Sequence, residues 1–333
     1  MTMNEQSLPI LQVRGLSKFF PILRGVFNRV VGQVRAVDRV DFALYPGECL
    51  GLVGESGSGK TTVGRAILRA IGPSAGTVHF RVDGETVDLA SASHETLRGL
   101  RRHLQMIFQD PYSSLNPRMT VGEIIGEPLL IHGMRRRAER EERVRALLQQ
   151  VGLREQYLNW YPHAFSGGQR QRIGIARALA LSPRLIIADE PVSALDISMQ
   201  AQVLNLLRDL QQRHGLTYLF ISHDLGVVRY IAQRIAVIYL GRIVEMAPAE
   251  ALFTVPAHPY TEALLAAMPV LNPAARRAPL ISGETADPSQ VPPGCAFHPR
   301  CRYATDICQL QAPELREIGA AHLVSCHFPL RFA

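Results

Sequence analysis

An α/β fold organised around a phosphate-binding loop on a parallel sheet is predicted by three observations. The stretch Gly54 to Thr62, GESGSGKTT, fits G-x-x-x-x-G-K-[ST]; it follows the apolar run Leu50 to Val53 and precedes a segment, up to Ile71, with helical apolar spacing. A second apolar run, Leu185 to Ala188, delivers two carboxylates, Asp189 and Glu190, at its end, where ligands gather in open parallel sheets. The 333 residues, 47% hydrophobic, are enough for one large domain with a substantial core plus an appendage.

Composition narrows the setting. The net charge of +7 suits nucleic acid, anionic lipid headgroups or a membrane-embedded partner alike. No apolar run approaches the ~18 residues that span a bilayer. The start, MTMNEQSLPI, lacks the basic-then-apolar order of a signal peptide, and the expectation is a chain that stays in the cytoplasm. Basic residues cluster from Arg98 to His103 and from Met134 to Arg145. Glutamates interleave at helical spacing in the second cluster, which favours a solvated helix face over a binding patch.

Residues 10–20 alternate weakly and end in Phe19 and Phe20; residues 34–46 read as a strand with Val37, Val40, Phe42 and Leu44 as core positions. Phe20 is read either as a packing residue or as an aromatic face for a purine base. Pro46-Gly47 turns the chain into the strand of the loop, where Cys49 is a small core residue. Within the loop Gly54, Gly57 and Gly59, with Glu55, Ser56 and Ser58 between them, are expected to take positive φ and turn backbone N–H groups inward. Lys60 would reach the β and γ phosphates and the Thr61 hydroxyl would hold Mg²⁺, while Thr62 opens the helix whose positive dipole end faces the same anion.

Residues 72–89 alternate and turn at Asp83-Gly84, as a β-hairpin does. A further strand, LQMIF, ends at Gln109, whose amide can reach both a metal and a water beside the γ-phosphate. Residues 118–182 have helical periodicity with breaks around Pro128, Gly133, Gly152 and Pro162. They close on a second helix start with anion-binding character, where Ser166 is an N-cap ahead of Gly167, Gly168 and Gln169. At the end of the 185–188 run, Asp189 would orient Mg²⁺ through its water shell and Glu190 would polarise the attacking water as general base. Ser193 to Asp196, SALD, leads into an amphipathic helix carrying Val203, Leu206, Leu207 and Leu210 and closed at Gly215. The strand TYLFIS then delivers His223 to the same edge as Gln109, Asp189 and Glu190, where it can hydrogen-bond a γ-phosphate.

In this order and spacing the motifs resemble the ATP-binding cassette family over residues 10–250. Gly54 to Thr61 matches Walker A, Gln109 the Q-loop, Ser166 to Gln169 the signature, LIIADE the Walker B motif with Glu190, SALD the D-loop with Asp196, and His223 the switch histidine. Phe20, with Phe19 adjacent, takes the place of the base-stacking aromatic, usually Tyr. The resemblance implies a RecA-like core, an antiparallel β subdomain and a helical subdomain at about 110–182, all within a nucleotide-binding domain of residues 1–252. It also implies head-to-tail pairing, in which the Ser166 signature of one subunit faces the γ-phosphate held by the Walker A loop of another.

FQDPYSSLNPRMTVGEIIGEPL, YPHAFSGGQRQRIGIARAL and PAHPYTEALLAAMP look like the ATPase subunits of bacterial oligopeptide and dipeptide importers, and Tyr112 with the YPH run is closer to the F-type than the D-type subunit. That likeness implies ATP and Mg²⁺, a D-type partner ATPase, two permease subunits with a solute-binding protein, no nucleic acid, and a place on the cytoplasmic face of the bacterial inner membrane. Nickel or another small solute is an alternative cargo. A soluble nucleic-acid-handling ATPase of the same superfamily fits the charge, but such proteins often interrupt or duplicate the cassette, and this chain has one uninterrupted cassette.

Residues 253–333 read as an extension. A short helix is expected in AHPYTEALLAAMP, a proline-rich linker over 270–293, and then Cys295, Cys301, Cys308 and Cys326 follow at C-x5-C-x6-C-x17-C. In a reducing compartment such a cluster suggests a metal site rather than disulfides. The readings are a four-thiolate iron–sulfur cluster, zinc, or unliganded thiols, with His298, His322 and His327 nearby. The resemblance favours [4Fe–4S], acting as a staple for a tail too small for its own core.

Overall fold

The computed structural model describes residues 8–25, 27–268 and 287–330, so most of the proline-rich stretch lies outside the described residues. Contacts divide the described residues into two units. One takes those up to Leu44, Cys49–Ser91 and everything from Ser222 on; the other takes Tyr45–Glu48 and Ala92–Ile221.

In the first unit, β1 (Leu11–Arg24), β2 (Arg29–Leu44), β4 (Ala75–Val82) and β5 (Glu85–Asp88) form an antiparallel sheet in the order β2-β1-β4-β5. Val40, Phe42 and Leu44 alternate with exposed residues, as a half-buried strand requires. The β4–β5 turn is Asp83-Gly84 with φ of 51° and 85°, the pair of positive values a two-residue hairpin of this twist demands. Both β1 and β2 run further than their sequence patterns suggest, because their pairing continues to Arg24↔Arg29.

The same unit holds β3 (Cys49–Val53), parallel to β9 (Arg234–Tyr239), which pairs antiparallel with β10 (Arg242–Pro248). β3 is buried along its whole length, as a strand covered on both faces must be. At Gly51 the helix α7 (Leu225–Ile231) comes so close that a Cβ would lie 2.2 Å from Val228 Cγ1. Helix α1 (Lys60–Ile67) follows the phosphate-binding loop, and α9 (Pro259–Ala266) is the short helix expected near the start of the extension. Two short strands, β11 (Arg316–Gly319) and β12 (His322–Val324), were not expected. β12 pairs with β10 at Glu245↔Val324 and Met246↔Leu323, so the extension adds strands to the edge of a sheet instead of standing on its own core.

In the second unit β6 (Leu104–Ile107), β7 (Leu185–Asp189) and β8 (Thr217–Ser222) are parallel in the order β8-β7-β6. Helix α6 (Ile197–His214) ends at Gly215, φ 62°, and buries Val203, Leu204, Leu207 and Leu210; Leu204 rather than Leu206 faces inward. The helical region contains α3 (Val121–Ile131), α4 (Arg137–Gln150) and α5 (Gly167–Leu179). Pro128 does not break α3 but sits inside it. It forfeits one backbone donor near the end of the helix, and the helix is bounded instead by a Thr120–Glu123 capping box and by Gly133, φ 101°. The basic stretch that forms α4 is a solvated face, with Arg137 and Glu141 paired at 2.7 Å one turn apart.

Candidate functional site

The phosphate-binding loop leaves β3 at Gly54. Gly57 and Gly59 have φ of 78° and 103°, as expected, but Gly54 is not among the positive-φ glycines. Its requirement is space: a Cβ there would stand 2.2 Å from the Ile238 carbonyl oxygen, and one on Gly59 would stand 2.1 Å from that of Ala36. The loop is thus pressed against neighbouring backbone that no side chain could displace. Lys60 is buried and curls over the loop, donating to the carbonyls of Gly54 and Glu55 at 2.8 Å each and reaching Ser58 Oγ at 3.4 Å. Gly59 is the N-cap of α1 and no side chain caps it, so the first turn presents backbone N–H groups suited to an anion. Thr61 and Thr62 are half-buried in that turn, while Ser56 is exposed and Ser58 buried.

Glu55 carries a connection that the motif alone does not announce. Its carboxylate takes a bidentate pair from Arg300, 2.9 Å at each oxygen, and its N–H donates to Tyr260 Oη at 2.9 Å. The available signal was the charge itself, since an acid inside a phosphate-binding loop calls for a cation. In the same unit Phe20 is exposed, with the Lys18 ammonium 5.0 Å from its ring centre, and Phe19 is half-buried. His223 is exposed just beyond β8.

In the second unit, the parallel register sets Ile107 opposite Ala188. Gln109 and Glu190, each a short step past those strand positions, therefore meet: Gln109 Nε2 donates to Glu190 Oε2 at 2.9 Å. Asp189 is buried at the end of β7. Glu190 follows with φ 46°, its N–H donating to the Ile221 carbonyl at 2.9 Å.

Ser166 caps α5 through a reciprocal box, its hydroxyl accepting from the Gln169 N–H at 3.4 Å while the Gln169 side chain accepts from the Ser166 N–H at 3.1 Å. A Cβ on Gly167 would lie 3.9 Å from Tyr112 Oη, and the Arg170 guanidinium sits 4.1 Å over the Tyr112 ring. The segment after Gln109 thus packs on the signature helix, a contact with no local sequence signal. Asp196 caps α6 by accepting from the Met199 N–H at 2.9 Å, and this bond, with one from the Ser198 hydroxyl, holds its carboxyl below the usual carboxylate range.

The four cysteines of the extension come together. Cys295, Cys301, Cys308 and Cys326 all line one pocket, beside Phe297 and Phe328. Burial pushes the Cys326 thiol up to about 11, and burial likewise raises Cys295 and Cys301, with the neighbouring thiols adding to each shift. Without a cation these are protonated, inert thiols. Among the described residues no group of three or more His, Cys, Asp or Glu side chains stands in a geometry for a single metal ion. His322 is not with the cysteines; it bonds Glu245 Oε1 at 2.7 Å within the sheet edge.

Residues 37–193 match the ABC transporter family and residues 244–308 match the oligopeptide/dipeptide transporter, C-terminal region. The oligopeptide transport ATP-binding protein AppF of Bacillus subtilis (strain 168) is 51% identical over 322 residues, covering 96% of this chain and 97% of that protein. A putative peptide import ATP-binding protein of Brucella ovis is 53% identical over 319 residues, covering 96% and 97%. The di/tripeptide transport ATP-binding protein DppF of Pseudomonas aeruginosa is 48% identical over 324 residues, covering 97% and 98%. Among solved structures, a dimeric post-hydrolysis state of the ATP-binding cassette MJ0796 bound to ADP and Pi superposes with a TM-score of 0.62 at 28% identity, covering 72% of this chain and 98% of that one.

Proposed function

Because the chain belongs to the ATP-binding cassette family, among the ATP-binding proteins of peptide importers, we propose that it hydrolyses ATP to power uptake of dipeptides or oligopeptides. The observation that carries hydrolysis is the Glu190 carboxylate held by the Gln109 amide just beyond the ends of β7 and β6. Glu190 takes a proton from the attacking water, Gln109 orients that water, and His223 donates to the γ-phosphate. Lys60 and the N–H groups of Gly57 to Thr62 carry the phosphate charge, and Phe20 offers its exposed ring to the base. Thr61, Asp189 and the Gln109 amide oxygen are hard oxygen donors of the kind Mg²⁺ takes, and the ion would neutralise charge on the phosphate oxygens.

The Ser166–Gln169 signature completes the site of a second subunit, and Asp196 lies where the two chains meet. The partner is a D-type paralogue; the pair sits on two permease subunits at the cytoplasmic face of the inner membrane and is served by a solute-binding protein. Attachment on this reading runs through the permeases, and no helix among the described residues is long and apolar enough to cross a membrane. On this reading residues 1–252 are the nucleotide-binding domain and 253–333 the importer extension.

Glu190→Gln is expected to keep ATP binding while steady-state hydrolysis falls by about 10²- to 10⁴-fold. Unchanged hydrolysis would remove Glu190 from the mechanism.

For the extension, the shared pocket of four thiols supports a group large enough to span all of them, a [4Fe–4S] cluster held by Cys295, Cys301, Cys308 and Cys326, which would staple the tail. Anaerobically purified protein is expected to be brown, with stoichiometric iron and sulfide. A colourless, zinc-loaded sample would replace the cluster with zinc.

A further inference from the structure

The segment between the first two cysteines of the extension touches the nucleotide loop at one residue by two routes. Arg300, in the 3-10 turn His298–Arg300 that leads into Cys301, is buried and clasps the Glu55 carboxylate with both terminal nitrogens at 2.9 Å. Bidentate pairing fixes direction as well as charge. The second route runs through rings. Phe297 packs on Tyr260 and Tyr239 with centroids 5.4 and 5.3 Å apart, and Tyr239 on Tyr260 at 4.7 Å. Tyr260 Oη then accepts the Glu55 N–H at 2.9 Å. The Glu55 carbonyl is meanwhile one of the two that receive Lys60 at 2.8 Å. Side chain, N–H and carbonyl of this single loop residue are thus all engaged, the first two by the extension and the third by the lysine that meets phosphate.

Both Phe297 and Arg300 lie inside the short loop whose ends are Cys295 and Cys301, and both cysteines face the common pocket. Anything that ties the two thiols together fixes the ends of that loop and so the position of Arg300. Anything that releases them frees it.

We propose that Arg300 and Tyr260 are positioning residues for the Walker A loop, through which the state of the four-cysteine site sets the affinity for a nucleoside triphosphate. The proposal deepens the ATPase reading and rests on it; it needs the thiols to be held together but not the identity of what holds them. Coupling of this kind is reciprocal, so bound nucleotide protects the cysteines as much as the cysteines support nucleotide.

The test uses the full chain and a fluorescent non-hydrolysable ATP analogue. Arg300→Met keeps the packing stem and removes the clasp, and Glu55→Gln removes the other half. Each is expected to keep wild-type metal content and melting cooperativity while binding the analogue about tenfold more weakly, and the double variant is expected to be no worse than either single one. Cys301→Ser is expected to lose metal and to weaken binding to a similar degree, and adding Arg300→Met to it changes nothing further. Nucleotide should slow alkylation of the cysteines after chelator treatment in the wild type but not in Arg300→Met. Unchanged analogue affinity in a folded Arg300→Met overturns the proposal, as does wild-type affinity in a Cys301→Ser protein that has lost its metal. If the wild type carries no metal, the control by the cysteines is overturned together with the cluster reading, and Arg300→Met and Glu55→Gln decide whether the clasp alone positions the loop.

Discussion

The two helix starts that the sequence marks as anion cradles are built on opposite plans. The first turn of α1 follows a left-handed glycine, Gly59, with no side-chain cap, and the loop before it is wedged against the carbonyls of Ile238 and Ala36. The first turn of α5 follows Ser166, whose hydroxyl trades hydrogen bonds with Gln169 in a closed box. One cradle is shaped by backbone and has no side-chain cap. The other turns the N–H groups of Gln169 and Ser166 back onto its own side chains. This difference suits the proposed division of labour, in which the loop holds a nucleotide throughout and the signature meets the nucleotide of a second subunit only on closure.

The comparison can be broken first at Lys60. Lys60→Ala removes both the charge for phosphate and the strut across Gly54 and Glu55, and equilibrium binding of ATP is expected to weaken by about 100-fold or more; retained affinity would mean that the loop backbone suffices. The glycines give a paired test. Gly54→Ala forces a Cβ to within 2.2 Å of a backbone oxygen and should cost about 2 kcal/mol in urea unfolding, whereas Gly167→Ala meets only ordinary contact, 3.5 Å to Leu195 Cδ2, and should change stability by less than about 0.5 kcal/mol. Equal losses would erase the distinction between a wedged loop and an open one. The smallest functional contrast is at the cap: Ser166→Ala should cost about 1 kcal/mol of stability and leave ATP affinity of the isolated chain unchanged if, as proposed, this serine serves a second subunit's site.

Much of this was legible locally. Apolar runs and turn residues place β3, the loop, the Asp83-Gly84 hairpin and β7, since each is decided by neighbours in sequence. The Gln109–Glu190 pair was legible in part, because both residues were read at strand ends and a parallel register does the rest. What was hidden depends on partners far along the chain. Glu55 and Arg300 are separated by 245 positions, and β12 is three residues long with no alternation to betray its pairing with β10. Gly54 was misread for a related reason: its glycine is required by the Ile238 carbonyl on another strand, whereas φ is a local property. Pro128 shows the converse, a strong local breaker overruled by its place near the end of a capped helix.

One feature of Glu190 sets stability against activity. Its backbone stands at φ 46°, a conformation that costs a side-chain-bearing residue about 1 kcal/mol or more and costs glycine almost nothing. Glycine would fit the bend after β7 better than glutamate does, and on the proposed mechanism it would also end hydrolysis. A screen that selects only for heat resistance would therefore be drawn toward erasing the proposed general base, and drift under relaxed demand for transport would leave a sturdier, silent protein.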